Sequence, residues 1–165
     1  MEENFYYVGF AILFLIGIWT FFVERGKYKR FHTMMGLNIQ VRLYEPSEGR
    51  RSPSKGVVEM NLEWMDDSLN DIVITDISFN TSGMYFPLWQ KIYFDFGTPK
   101  PQLLSMGFRM KPNIYTKYKG KKRNLRVSGL LRRKNGDVLT FKTHLAFVLN
   151  YKAEDALVET STPAL

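Results

Sequence analysis

Residues 124–150 read NLRVSGLLRRKNGDVLTFKTHLAFVLN, and this stretch decides the fold class. Leu125, Val127, Gly129 and Leu131 fall on alternate positions, the period of a strand with one buried face. Asn135-Gly136 then interrupts the run, and Asn-Gly between two such segments is a strong signal for a hairpin. The reading is a pair of antiparallel strands, 124–133 and 137–150.

The same alternation recurs upstream. Leu37, Ile39, Val41 and Leu43 alternate with Asn38, Gln40, Arg42 and Tyr44. Residues 45–56, EPSEGRRSPSKG, form a polar loop. Val58, Met60, Leu62 and Trp64 alternate with Glu59, Asn61 and Glu63. A turn over 66–70 precedes DIVITDISF, residues 71–79, a strongly β-branched strand. Residues 83–86 and 91–96 read as short strands around Pro87. Residues 97–122, rich in Pro, Gly and Lys, read as a long loop with one short element, and 155–165 as a tail. Many short strands and almost no amphipathic helix predict an all-β domain, an antiparallel barrel or sandwich.

The N-terminus follows a different pattern. Residues 5–23, FYYVGFAILFLIGIWTFFV, carry no charge. Nineteen helical residues reach roughly 28 Å, about the hydrocarbon thickness of a bilayer. A cleaved signal would want a basic start and a small-residue cleavage site; here Glu2 and Glu3 come first, and Val23 runs straight into Glu24 and Arg25. Tyr6, Tyr7 and Trp19 suit interfacial belts. Arg25, Lys27, Lys29 and Arg30 follow the span, so the positive-inside rule places residues 24–165 in the cytoplasm. The expectation is a single-pass protein of the inner or plasma membrane with its N-terminus outside.

The net charge of +7 has a local origin. Residues 111–134 carry ten Lys or Arg and no acid, while the remainder holds thirteen bases against sixteen acids. Lys117, Lys119, Lys121, Lys122, Arg123, Arg126, Arg132 and Arg133 are the core of this basic patch. Such a patch fits an anionic partner, or else a solvated hairpin face. Tyr115 and Tyr118 interleave with the lysines, but no RNP-like or helix-turn-helix pattern supports nucleic acid. Without cysteine, and with only His32 and His144, zinc has no ligand set. No nucleophile elbow and no phosphate-binding Gly-rich loop occurs. Non-catalytic function without a cofactor is the expectation.

Two stretches, in order, resemble the PilZ domain, a bacterial receptor module for cyclic di-GMP. ERGKYKRF, residues 24–31, resembles the family's RxxxR motif, which precedes its first strand. ITDISFNTSGMYF, residues 74–86, resembles its D/N-x-S-x-x-G motif. Arg30 matches the second arginine; Gly26 stands where the first belongs, with Arg25 one place early. Asp76 and Ser78 match the second motif, Thr81 takes its glycine position, and Gly83 comes two residues later. The resemblance implies a small antiparallel β-barrel and a ligand set of Arg25, Arg30, Asp76, Ser78 and Gly83. Arginine forks pair with phosphate and with the O6/N7 edge of guanine, while Asp and Ser hydrogen-bond polar ligand groups.

The expected organisation is a short segment 1–4, a transmembrane helix 5–23, a basic juxtamembrane linker 24–36, a PilZ-like domain 37–152 and a tail 153–165. The expected function is sensing cyclic di-GMP at the membrane or relaying it to a membrane partner. The alternative is a bitopic adaptor of a membrane complex that binds no nucleotide, its basic patch on anionic lipid or protein.

Overall fold

The computed structural model describes residues 2–46, 52–87, 90–95 and 102–151. The chain opens with α1 (Glu2–Met34), a single helix of 33 residues. It then runs through β1 (Met35–Leu43), β2 (Lys55–Trp64), β3 (Leu69–Phe79), β4 (Met84–Tyr85), β5 (Ile92–Asp95), β6 (Gln102–Met110), a short helix α2 (Ile114–Tyr118), β7 (Lys122–Arg133) and β8 (Val138–Val148). The juxtamembrane residues expected as a linker are therefore helical up to Met34, and the first strand begins at the next residue. No proline lies between Val23 and Met34, and the isolated Gly26 weakens the helix without ending it, so the helix runs on past the apolar run. The expected tail lies outside the described residues.

The strands form two four-stranded antiparallel sheets, ordered β1-β2-β6-β4 and β5-β3-β7-β8. Among the described residues the ladders do not close these sheets into a barrel, so the expectation of a mostly antiparallel β fold after an N-terminal helix holds and the barrel is not shown. Both sheets contribute to one core. Val58, Met60 and Leu62 of β2 join Ile72 and Ile74 of β3, and Leu125, Val127 and Leu131 of β7. Alternation explains this directly, because each strand turns every second residue inward.

The 97–122 region departs from expectation. β6 is a nine-residue strand paired with β2 from Gln102↔Leu62 to Arg109↔Lys55. Phe108 and Met110 are buried, with Leu104 and Met106 packed against the core. The period of two was present, but Gly107 and the flanking prolines and lysines masked it. The β7–β8 hairpin matches the reading, with Leu125 opposite Leu145 and Arg132 opposite Val138. Its turn is closed by the Gly136 N–H donating to the Arg133 carbonyl at 3.0 Å, and Gly136 sits at φ 90°, where glycine is unstrained.

Candidate functional site

β3 carries the second motif to the outer face of the β5-β3-β7-β8 sheet. Ile77 is buried, Phe79 stacks on Phe86 at 4.7 Å, and Thr81 is only 7% exposed. Asp76, Ser78 and Asn80 take the alternate positions and look outward. Thr81 therefore points away from this face, and its side chain in place of the family's glycine does not obstruct it. Gly83, by contrast, belongs to the turn before β4. It has φ 93°, and a Cβ there would meet Ile114 Cδ1 at 2.7 Å. Its place is against α2, off the outer face, and the geometry gives it a folding role.

Register supplies partners that sequence reading left unassigned. Ser78 lies opposite Arg126, which lies opposite His144; Asp76 lies opposite Ser128, which lies opposite Lys142. Arg126 Nη2 approaches Asp76 Oδ2 at 3.7 Å, and the Ser78 hydroxyl donates to the same carboxylate oxygen at 3.4 Å. Ser78, Phe79, Asn80, Arg126 and His144 line a shallow pocket of about 200 Å³. That is below the roughly 300 Å³ of a small-molecule site, so it suits one base or one phosphate group and not a whole dinucleotide. Only the pairing register could have shown that Arg126 and His144 belong with Ser78.

The first motif arrives at the same face by a different route. Positions 24, 27, 31 and 34 recur at helical spacing and form one stripe of α1. Lys142 Nζ donates to Glu24 Oε2 at 2.6 Å, and Lys27 Nζ donates to Glu24 Oε1 at 3.1 Å. Hydrogen bonds from Lys142 and then Lys27 hold the Glu24 carboxyl, just past the apolar run, below its ordinary value of 4.5. Further along, Phe31 is fully buried and stacks on Phe141 at 4.8 Å, and the His32 ring meets the Thr143 hydroxyl at 3.2 Å. Lys142 is two strand spacings from Asp76, roughly 10 Å at about 4.8 Å per strand. The two motif-like segments thus belong to one sheet and the helix at its edge, with β7 and β8 between β3 and α1.

The helix also separates the two arginines. At 100° per residue, positions 25 and 30 lie about 140° apart around α1, whereas 26 and 30 differ by about 40°. Arg25 therefore does not substitute geometrically for an arginine at position 26 while α1 stays helical. A Cβ at Gly26 meets nothing within 4 Å.

The basic patch does not form one surface. β7 has Lys122 at one end and Arg133 at the other, about 37 Å apart at 3.4 Å per residue. Lys117 and Arg123 gather at the α2 end, both over the Tyr118 ring, at 5.3 and 3.9 Å from its centroid. Arg132 pairs with Asp71 at 3.7 Å near the hairpin tip, and Arg126 sits between on the outer face. A cluster in sequence is spread out because a strand is extended.

No family model matches this chain, and no curated protein or solved structure matches it either.

Proposed function

We propose that the chain is a membrane-tethered, non-catalytic PilZ-like receptor whose outer β3–β7–β8 face binds cyclic di-GMP and relays its presence to a membrane partner. α1 is long and apolar enough to cross a bilayer, and in this reading it does so with the domain in the cytoplasm. What supports the reading is Asp76 and Ser78 standing beside Arg126 on that face, with Glu24, which precedes the Arg25–Arg30 segment, bonded to Lys142 on the same sheet two strands from Asp76. Arg126 and Arg30 would meet phosphate or guanine, and Asp76 and Ser78 would accept from or donate to a guanine edge. The pocket beside Ser78 would take one base, leaving the rest of the ligand across the face.

The test is isothermal titration of cyclic di-GMP into the full chain in detergent. Saturable heat that weakens on Ser78→Ala and Arg126→Ala supports the reading; no heat with protein at tens of micromolar ends it.

A second reading, a nucleotide-free adaptor of a membrane complex, is favoured by Gly26 at the arginine position and by the Arg126 guanidinium already facing Asp76. It expects co-purification of a membrane partner that survives Arg30→Ala. Loss of that partner in the variant would speak against it.

A further inference from the structure

The path of α1 past β8 determines which side of the domain faces the bilayer. Glu24 contacts Lys142, which points to the outer face of the sheet. Phe31 and His32, roughly 11 Å further along the helix axis, contact Phe141 and Thr143, which point into the core. The helix therefore passes the β8 edge from the outer side of the sheet to the inner side. Upstream, residues 6–23 are exposed throughout, and they leave the domain on the outer side. The apolar run ends at Val23, one residue before the Glu24–Lys142 contact. The polar layer beyond the hydrocarbon is about 5–7 Å thick on each side, so Lys142 stands within it.

Charge is arranged to match. Arg25, Lys27 and Lys29 follow the apolar run on α1, and Lys142 on β8 and Arg126 on β7 lie on the outer face beside it, with Glu24 the one acid between Lys27 and Lys142. The other acids of this face, Asp71, Asp76 and Asp95, lie farther away on β3 and β5, and Asp71 and Asp76 each face an arginine. The outer face of the opposite sheet has another character: Asn38, Gln40, Glu59 and Asn61, with Ile39 and Leu103, line a depression there, and Glu59 pairs with Arg42. We propose that the β8–β7 margin of the β5-β3-β7-β8 sheet rests on the headgroup layer and contacts anionic phospholipid headgroups. This interface rests on α1 crossing the bilayer and not on nucleotide binding. Of the dispersed 117–133 bases it takes only Arg126, because the helix geometry selects the face.

The chain has no cysteine, so one introduced cysteine gives a unique label. Fluorophores are placed at Thr140→Cys or Ala146→Cys on β8, at Asn61→Cys or Ser105→Cys on the opposite sheet, and at Phe14→Cys within the span. The full chain is reconstituted without nucleotide into phosphatidylcholine vesicles, with and without phosphatidylglycerol, carrying lipids spin-labelled at the headgroup or deep in the acyl chain. The interface requires headgroup quenching several-fold stronger at positions 140 and 146 than at 61 and 105, and stronger still with phosphatidylglycerol. Equal quenching of the two faces, the reverse order, or indifference to phosphatidylglycerol overturns it. Failure of the deep lipid to quench position 14 overturns the span and this interface with it, while leaving nucleotide binding to its own titration.

Discussion

Asp76, Ser78 and Arg126 form one contact set, with Arg126 Nη2 3.7 Å from Asp76 Oδ2 and the Ser78 hydroxyl donating to the same oxygen at 3.4 Å. The resemblance pointed to Asp76 and Ser78, and nothing in the sequence pointed to Arg126 as their partner. Arg126 is forty-eight positions from Ser78 in sequence and directly opposite it in register, and a register is set by tertiary packing. Gly129 shows a similar limit. Its alternation was readable, yet its role is steric: an added Cβ would overlap the Val73 carbonyl oxygen and approach Phe141 Cε1 at 2.8 Å. Gly129→Ala should destabilise the domain by about 1–3 kcal/mol, the usual range for overpacking, seen as a lower urea midpoint with an unchanged slope. Gly26→Arg should behave oppositely. Its site is open, and it restores the i,i+4 spacing with Arg30. A charge-assisted bond of about 1.5–3 kcal/mol predicts roughly ten- to a hundredfold tighter cyclic di-GMP binding by titration.

The decisive element is α1, whose apolar half was legible and whose docked half was not. Composition marks a span, but the stripe of Glu24, Lys27, Phe31 and Met34 gains meaning only when β8 lies against it. β6 was missed for the complementary reason, since Gly107 weakens a strand signal that pairing with β2 overrides. Phe31→Ala should cost about 3–5 kcal/mol, as for other buried aromatic truncations, and should loosen the last turns of α1 in hydrogen exchange. The Glu24 contact has a signed pH dependence. Its folded value is depressed, so its contribution is present above 4.5 and is lost as pH falls through the lower folded value. Being partly exposed, the pair stabilises the fold only modestly. Carbon-detected NMR should find the Glu24 carboxyl titrating below 4.5, moving up in Lys142→Gln; a wild-type titration at or above 4.5 would contradict the contact.

At the scale of the whole molecule, one surface gathers the features that matter. The β3–β7–β8 face holds Asp76, Ser78 and Arg126, receives the basic end of α1 through Lys142, and lies on the side from which the apolar helix departs. Fold class was readable because strands announce themselves by alternation. The choice between a barrel and a two-sheet sandwich was not, because which edges remain open depends on contacts far apart in sequence. With α1 in a bilayer as proposed, a ligand on this face would lie between domain and membrane, beside the α1 contacts at Phe31 and Glu24. The most direct measurement is amide-shift mapping of cyclic di-GMP on the full chain in nanodiscs. Cyclic di-GMP binding at this face should give saturable shifts concentrated at 24–30, 76–80, 126–128 and 142–144. Shifts confined to the outer face of the β1-β2-β6-β4 sheet, or none at saturating ligand, would contradict it.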